Sequence, residues 1–187
     1  AYKIAQKSPE SPLFPGFVSE NKYGKEGLLD PEILQLAPTD LIKHVEGVLA
    51  PIDQNDDRLV GIVVDVQSEW SGFALATSEG FNQATLKTIF SGSCDAIVSK
   101  GKERKTYEDY AVGRKIQNLS SIGINAFEKA VNSLGGKKYE ESGKNIMILH
   151  PRTASYLLGM TFSSIFNGSL YVENRSPIKD KLGERIA

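Results

Sequence analysis

RLVGIVVDVQSEW, residues 58–70, decides the fold of this chain. The stretch is rich in β-branched residues, and its apolar and polar side chains alternate, which is typical of a strand with one buried face. Ser71-Gly72 follows, which we interpret as a tight connection, and FALATSEG (73–80) then predicts a second strand ending at Gly80. The centre of the chain is therefore expected to be a β-sheet.

The β-rich region continues to residue 115. QATLKTIFSGSCDAIVSKGKERK (83–105) predicts either one long bent strand or two, because Gly92 can mark a bulge or a break. Gly101 lies in a basic turn, after which TYEDYAVGRK (106–115) predicts a further strand. We therefore expect an antiparallel set of about four strands joined by hairpins.

Helical patterns flank this region. Before it, Thr39 is expected to cap a helix whose apolar residues recur at helical spacing up to Leu49. After it, Ser120 or Ser121 is expected to cap a helix that Gly135-Gly136 stops. Helices and strands are thus segregated along the chain, so the sequence predicts the α+β class, with helices packed on an antiparallel sheet.

The C-terminal part predicts the first strand and helix of a second domain. NIMILHP (145–151) is a short apolar run that indicates a buried strand, and Pro151 suits the first turn of a helix. Asn167-Gly168 predicts a left-handed stop, followed by an extended, charged arm. The helix has a broad apolar face, which consists of Ala154, Leu157, Leu158, Thr161, Phe162, Ile165 and Phe166.

The chain is expected to have three parts. Residues 1–27 comprise a helix tail at 1–7 and a Pro-rich connector, residues 28–140 a central α+β domain, and residues 141–187 the incomplete start of a C-terminal domain. The first residue is not Met, and both ends resemble cuts in a longer chain. We therefore interpret the sequence as an internal fragment.

Composition narrows the function classes. The net charge of −1 gives no electrostatic reason to expect nucleic acid, and the one basic cluster, residues 100–105, is interpreted as a solvated turn. Cys94 is the single cysteine, so the chain has no disulfide framework, and we expect a buried residue there. Neither a membrane-length apolar run nor a signal peptide occurs. We expect a cytoplasmic protein without nucleic-acid or membrane partners.

Segments along most of the chain resemble the TldD/PmbA family, whose members are also described as modulators of DNA gyrase. SPESPLFPGF (8–17) resembles the connector that precedes the family's central region, and ATSEG (76–80) resembles a strand end, with Thr77 where Asn is usual. The most specific segment, LLGMTFSSIFNGSLYVENRSPIKDKLGERIA (157–187), resembles the junction with the C-terminal domain. The resemblance implies a two-component zinc metalloprotease.

The resemblance also implies that this chain lacks the zinc-binding motif found in one branch of the family. TldD-like members carry His-Glu-x-x-x-His on this helix, where the two His side chains hold zinc and the Glu serves as general base. Alignment on the flanking segments places these three positions on Gly159, Met160 and Ser164, none of which can do that work. The chain therefore resembles the PmbA (TldE) branch, with no cofactor of its own and zinc in a partner subunit.

The arm from Ser176 to Arg185 has two interpretations of equal weight. It is either a segment left exposed by truncation or, as the family implies, a wall of the substrate cleft near the subunit interface. The candidates for contact with substrate or partner are Ser176, Lys179, Lys181 and Glu184. The two histidines, His44 and His150, lack a Cys cluster and are expected to be structural, His150 as a cap or core residue.

The expected function is that of a PmbA/TldE-like subunit that positions peptides or unfolded proteins for a TldD-like metalloprotease and does not itself cleave. The alternative is a non-catalytic binding or scaffold protein, as a homodimer. A third reading is an active hydrolase whose ligands lie outside this sequence, and Gly159, Met160 and Ser164 argue against it.

Overall fold

The computed structural model describes residues 2–9, 14, 16, 17, 19, 28–140, 142–181 and 183–185. The chain divides into two compact units, one formed by Phe17–Tyr139 and the other by Ala1–Gly16 together with Glu140–Ala187. A short helix, α1 (Tyr2–Ala5), lies in the predicted helix tail. Most of the predicted connector, residues 8–27, lies outside the described residues.

The larger unit contains a three-stranded antiparallel sheet in the order β1-β2-β3, which confirms the α+β class. The strands are β1 (Leu59–Ala76), β2 (Asn82–Lys100) and β3 (Glu103–Gly113). The prediction of about four strands is wrong, because Ser71 and Gly72 pair with Lys87 and Leu86 inside the ladder. The ladder satisfies the backbone at these two residues, and this gain outweighs their local preference for a turn.

β2 is one continuous strand, and Gly92 marks neither a bulge nor a break. Gly92 pairs with Val66 of β1 on one side and with Ala111 of β3 on the other. A Cβ atom at Gly92 would lie 2.5 Å from a methyl carbon of the buried Leu119 side chain. The glycine therefore lets Leu119 approach the sheet closely, which is a packing requirement rather than a backbone irregularity.

Two helices, α2 (Pro38–Leu49) and α3 (Ser120–Asn132), pack on the sheet. The predicted helices are confirmed, but their caps are not at the predicted residues. The Asp40 carboxylate accepts a hydrogen bond from the Ala37 N–H (3.1 Å), and the Asn118 side chain accepts one from the Ser120 N–H (2.8 Å). Gly135 has a φ of 76°, as expected for the predicted helix stop.

The core lies between the helices and one face of the sheet. Alternate residues of β2 point into it, and the apolar faces of α2 and α3 cover them. The buried members from these elements are Val48, Phe90, Cys94, Ala96, Val98, Ile122, Ala126, Phe127 and Ala130. This one-sided arrangement follows from the strand period of two and the helical period of 3.6 in the sequence.

A buried polar cluster ties the segment before α2 to the sheet. The Asp30 N–H donates to the Thr88 hydroxyl, which donates to the Arg114 carbonyl, and both distances are 2.9 Å. A carboxylate oxygen of Asp30 accepts from the Ile116 N–H at 3.2 Å. Because Asp30 and Thr88 are both buried, this hydrogen bond satisfies the Asp30 N–H away from water.

Thr88→Val is expected to lower the free energy of unfolding by about 1–3 kcal/mol, because the variant keeps the shape and leaves the Asp30 N–H buried without an acceptor. Urea denaturation measures this change. Thr85→Val, on an exposed part of the same strand, is the matched control and should stay within about 0.5 kcal/mol. Equal effects for the two variants would contradict the assignment.

The smaller unit contains helices α4 (Pro151–Ile165) and α5 (Gly168–Val172) and a 3₁₀ turn at Lys179–Lys181. The strand predicted at 145–150 is wrong, because no described strand pairs with this segment and Ile146 and Ile148 are 99% and 95% exposed. A strand needs a neighbouring strand to satisfy its backbone. Among the described helices, none has both the length and the apolar character needed to cross a bilayer.

The segment after α4 also differs from the predicted left-handed stop and extended arm. Asn167 has a φ of −70°, so it is not a left-handed stop. Its side chain accepts a hydrogen bond from the Ser169 N–H (2.9 Å) and thereby caps α5. The predicted extended arm instead contains the 3₁₀ turn, so its described part is folded locally.

Candidate functional site

Helix α4 is the candidate site, because it carries the three positions that the sequence analysis aligned with the zinc motif of the family. His150 precedes it and acts as a cap, since its Nδ1 accepts a hydrogen bond from the Arg152 N–H at 3.3 Å. The predicted cap role of His150 is thus confirmed, while its predicted place at the end of a buried strand is wrong because the residue is exposed. The helix then runs without interruption to Ile165.

Gly159, Met160 and Ser164 all lie on α4. Met160 is 62% exposed, and a Cβ atom at Gly159 would meet nothing within 4 Å. A glycine and a thioether supply neither the imidazole nor the carboxylate that a catalytic zinc site uses.

The described residues were also searched for a metal site elsewhere in the chain. In that part of the chain, no group of three or more His, Cys, Asp or Glu side chains is arranged so that it could hold a metal ion. A catalytic zinc site needs three protein ligands and an open position. The donor set of the described residues therefore does not fit zinc.

The surface of α4 is apolar and open. Leu157, Leu158 and Met160 are between 45% and 62% exposed. At the end of the helix, the rings of Phe162 and Phe166 contact each other with centroids 5.2 Å apart. The apolar face predicted from the sequence is thus present, and within its unit the described residues leave much of it uncovered.

Ser176 anchors the start of the arm to the end of α4. Its side chain is buried, and its hydroxyl donates a hydrogen bond to the Ile165 carbonyl at 2.9 Å. The left-handed Asn174, with a φ of 60°, turns the chain back just before it, and the Arg175 N–H donates to the Leu170 carbonyl. The hydroxyl of Ser176 therefore has a structural role, since it holds the arm to the end of α4. No pattern in the neighbouring sequence predicts this contact.

The other three candidates of the arm lie on its turns. Lys179 and Lys181 bound the 3₁₀ turn, and the Lys181 N–H donates to the Ile178 carbonyl at 3.0 Å. The Glu184 N–H donates to the Lys181 carbonyl, also at 3.0 Å. Lys181 and Glu184 are exposed and Lys179 is half-buried. Lys179, Lys181 and Glu184 thus lie on two consecutive hydrogen-bonded turns.

Cys94 is fully buried in the core of the larger unit, as predicted. Burial raises the pKa of its thiol from 9.0 to about 11, and the carboxylates of Asp95 and Asp109 add to the shift. His44 lies on α2 and contacts Phe90 edge-on, with ring centroids 4.9 Å apart. Both residues have the structural roles expected from the sequence.

Cys94 is expected to resist thiol reagents at pH 8 in the folded protein and to react at once in denaturant, because the folded thiol is buried and protonated.

The raised pKa of Cys94 also makes the stability of the fold depend on pH. The folded state holds this proton more tightly, so the contribution is complete below pH 9.0 and falls as pH rises from there through about 11. Rapid labelling without denaturant would contradict the assignment.

Comparison with known proteins identifies two domain types. The family model of the PmbA/TldA metallopeptidase central domain matches residues 31–134, and that of the PmbA/TldA metallopeptidase C-terminal domain matches residues 142–187. The two matches account for most of the chain. They include the sheet, both of its helices and the α4 helix.

The chain is also similar to individual proteins. An uncharacterized protein of Methanocaldococcus jannaschii is 27% identical over 184 residues, which is 97% of this chain and 42% of that protein. A crystal structure of a candidate modulator of DNA gyrase from Bacteroides thetaiotaomicron has a TM-score of 0.79 and 28% identity, over 90% of this chain and 39% of that one.

TldE from Thermococcus kodakarensis shares the fold. It has a TM-score of 0.69 and 15% identity, over 96% of this chain and 41% of that one. This chain spans about two fifths of the length of these relatives. Because the central-domain model alone matches more than half of the residues, this chain belongs to the PmbA/TldD family.

Proposed function

We propose that this chain is a PmbA/TldE-like subunit of a two-component zinc metalloprotease that acts on peptides or unfolded proteins. In this proposal the chain has no zinc site of its own. It positions the substrate and supports the zinc site of a TldD-like partner. Catalysis then takes place on the partner, which supplies the zinc ligands and the general base.

The observation that carries the proposal is the chemistry of α4. The family-motif positions Gly159 and Met160 offer no ligand and no general base, although the helix that would present them is intact. A zinc-bound water also needs a carboxylate or imidazole to take its proton, and the motif would supply it at Met160. A helix retained without these groups is consistent with a structural or substrate-holding role.

The anchored arm supports the substrate-holding part of the proposal. The hydrogen bond from Ser176 to Ile165 fixes the arm at the end of α4, and the turns that follow hold Lys179, Lys181 and Glu184. Charges held on a fixed backbone lose less entropy on binding than charges on a free tail. They are the candidates for contacts with peptide ends or with the partner subunit.

Reconstitution tests the proposal. The whole protein and a TldD-like subunit with the His-Glu-x-x-x-His motif are purified separately, and cleavage of an unfolded peptide is measured for each and for the mixture. We expect no cleavage by this protein alone, cleavage by the mixture, and loss of that cleavage when the partner's motif Glu is replaced by Gln. Met160→Ala is expected to leave the mixture active, because Met160 is not a ligand.

Two outcomes would contradict the proposal. Cleavage by this protein alone would show that ligands outside the described residues complete an active site. A mixture that gains nothing, with a protein that binds peptide unaided, would favour the non-catalytic binding or scaffold role instead.

A further inference from the structure

The turn between β2 and β3 lies against the segment that follows α3. A carboxylate oxygen of Glu103, at the start of β3, accepts a hydrogen bond from the Gly135 N–H at 2.8 Å. This bond joins two parts of the chain that are 32 residues apart in the sequence. The turn and the residues around Gly135 are therefore neighbours at one end of the sheet.

Both of these segments are rich in basic residues. Their exposed cationic side chains, here called the basic patch, are Lys100, Lys102, Arg104, Lys137 and Lys138. None of the five forms an ion pair with another described residue. All of them belong to the larger unit, Phe17–Tyr139. The fold thus gathers two basic segments that are separate in the sequence.

Other charged groups at this end of the sheet already have partners. The Lys105 ammonium lies 3.1 Å from one carboxylate oxygen of Glu103, and the other oxygen accepts from the Gly135 N–H. The Lys129 ammonium lies 5.1 Å from the centroid of the Tyr107 ring. Because both oxygens of Glu103 are engaged, this carboxylate does not neutralise the basic patch.

Unpaired cations held close together need an anionic partner from elsewhere. Like charges on a fixed backbone repel one another, and the repulsion ends when an anion lies between them. A cationic group that loses its water without meeting an opposite charge is costly, so a surface that covers the basic patch must be acidic. The whole chain has a net charge of −1, so the residues outside the patch carry a net negative charge. Overall composition therefore hides this basic end.

We propose that the basic patch binds an acidic stretch of an unfolded polypeptide, through ion pairs between its cationic groups and Asp or Glu side chains. The inference rests on the proposed function and deepens it, because it names the class of peptide that this subunit holds. Peptides with clustered carboxylates bind here. The contact involves neither zinc nor the partner subunit.

The surroundings of the basic patch favour a short acidic segment over nucleic acid. Glu108 lies on the same face of β3 as Arg104, and Asp95 of β2 lies opposite Glu108. A duplex carries one negative charge per about 1.7 Å and would extend from the patch over these carboxylates. Four of the five cationic residues are lysines, whereas the planar guanidinium of arginine is the group that matches phosphate geometry. A short acidic stretch can end before it reaches the carboxylates.

Fluorescence anisotropy tests the proposal with the whole protein and a labelled peptide of alternating Glu and Ser. We expect binding that weakens as salt is added, because salt screens exposed ion pairs, and no binding of the same peptide with Gln in place of Glu. The double variants Lys102→Gln/Arg104→Gln and Lys137→Gln/Lys138→Gln are each expected to weaken binding about 5-fold or more, since each removes two charges from the patch.

Lys87→Gln/Lys115→Gln is the matched control. Both lysines are exposed, and they lie towards the other end of the sheet, roughly 30 Å or more from the turn along the strands. The control removes the same charge from the chain and is expected to leave binding unchanged. Labelled single-stranded DNA of matched charge is the second probe and is expected to bind more weakly than the acidic peptide. Circular dichroism should show folded protein for every variant.

Four results would overturn the proposal. The whole protein would not bind the acidic peptide, including the case in which the rest of its chain covers the basic patch. The control variant would weaken binding as much as the patch variants. Only one of the two patch variants would weaken binding, so the two segments would not form one site. Alternatively, the DNA would bind more tightly than the peptide.

The assay also separates this proposal from the proposed subunit role. It contains no partner subunit and measures no cleavage, so a negative result counts against the basic patch alone. The reconstitution with a TldD-like subunit tests the subunit role with a different readout. Failure of the reconstitution together with specific binding of the acidic peptide would leave a peptide-binding protein without a proteolytic role.

Discussion

Gly123→Ala is expected to lower the free energy of unfolding by about 3 kcal/mol or more. Gly123 lies on α3 where this helix crosses α2, and an added Cβ atom would overlap the carbonyl oxygen of Val48 and lie 3.1 Å from its carbonyl carbon. Backbone cannot rotate away as a side chain can, so the two helices would have to separate. Urea denaturation followed by circular dichroism measures the loss.

Gly47→Ala is the matched control for this prediction. Gly47 lies on α2, and a Cβ atom there would meet nothing within 4 Å. The substitution should therefore leave stability unchanged or raise it by up to about 1 kcal/mol, because alanine is the better helix former. If both variants lose the same stability, the close approach of α2 and α3 is wrong.

Phe90→Ala is expected to cost about 3–5 kcal/mol of unfolding free energy. Phe90 is fully buried at the centre of β2, where it contacts the ring of His44 and lies among the residues that α2 and α3 contribute to the core. Removing the ring leaves a cavity that neighbours on two helices and a sheet cannot fill. Thermal and chemical denaturation should agree on the loss.

Val112→Ala tests the same account from the other side of the sheet. Val112 is 61% exposed on β3, so its truncation should change the unfolding free energy by less than about 0.5 kcal/mol. A large effect at Val112, or a small one at Phe90, would mean that the core does not lie on the helical face of the sheet.

The sequence predicts the helices and the core of the larger unit well, for a physical reason. The apolar residues of α2 and α3 recur at a period that only a helix can place on one face, and Gly135 supplies the positive φ that ends α3. Cys94 is buried because it lies on the same side of β2 as Phe90. In each case, local pattern and tertiary environment agree.

Local pattern fails where a distant segment decides the structure. Ser71-Gly72 has the composition of a turn, but pairing with β2 keeps it inside β1. Residues 145–150 have the composition of a strand, but no described segment pairs with them. Both outcomes depend on the presence or absence of a pairing partner, which a window of sequence does not contain.

The candidate site was located by family resemblance and could not be located by residue chemistry. Gly159 and Met160 carry no functional group that marks them, and only the flanking segments align them with a zinc motif. Ser176 precedes a proline in a charged arm, so nothing in its neighbourhood predicts that its hydroxyl is buried against Ile165. That contact depends on how the arm folds back onto α4.

Zinc stoichiometry tests the central claim most directly. The chain and the whole protein are incubated with excess zinc, separated from free metal by gel filtration and analysed by mass spectrometry for metal content, with a TldD-like subunit as the positive control. We expect far less than one zinc per chain, because positions 159 and 160 of α4 offer no ligand. One tightly bound zinc per chain, unaffected by Met160→Ala, would contradict the account.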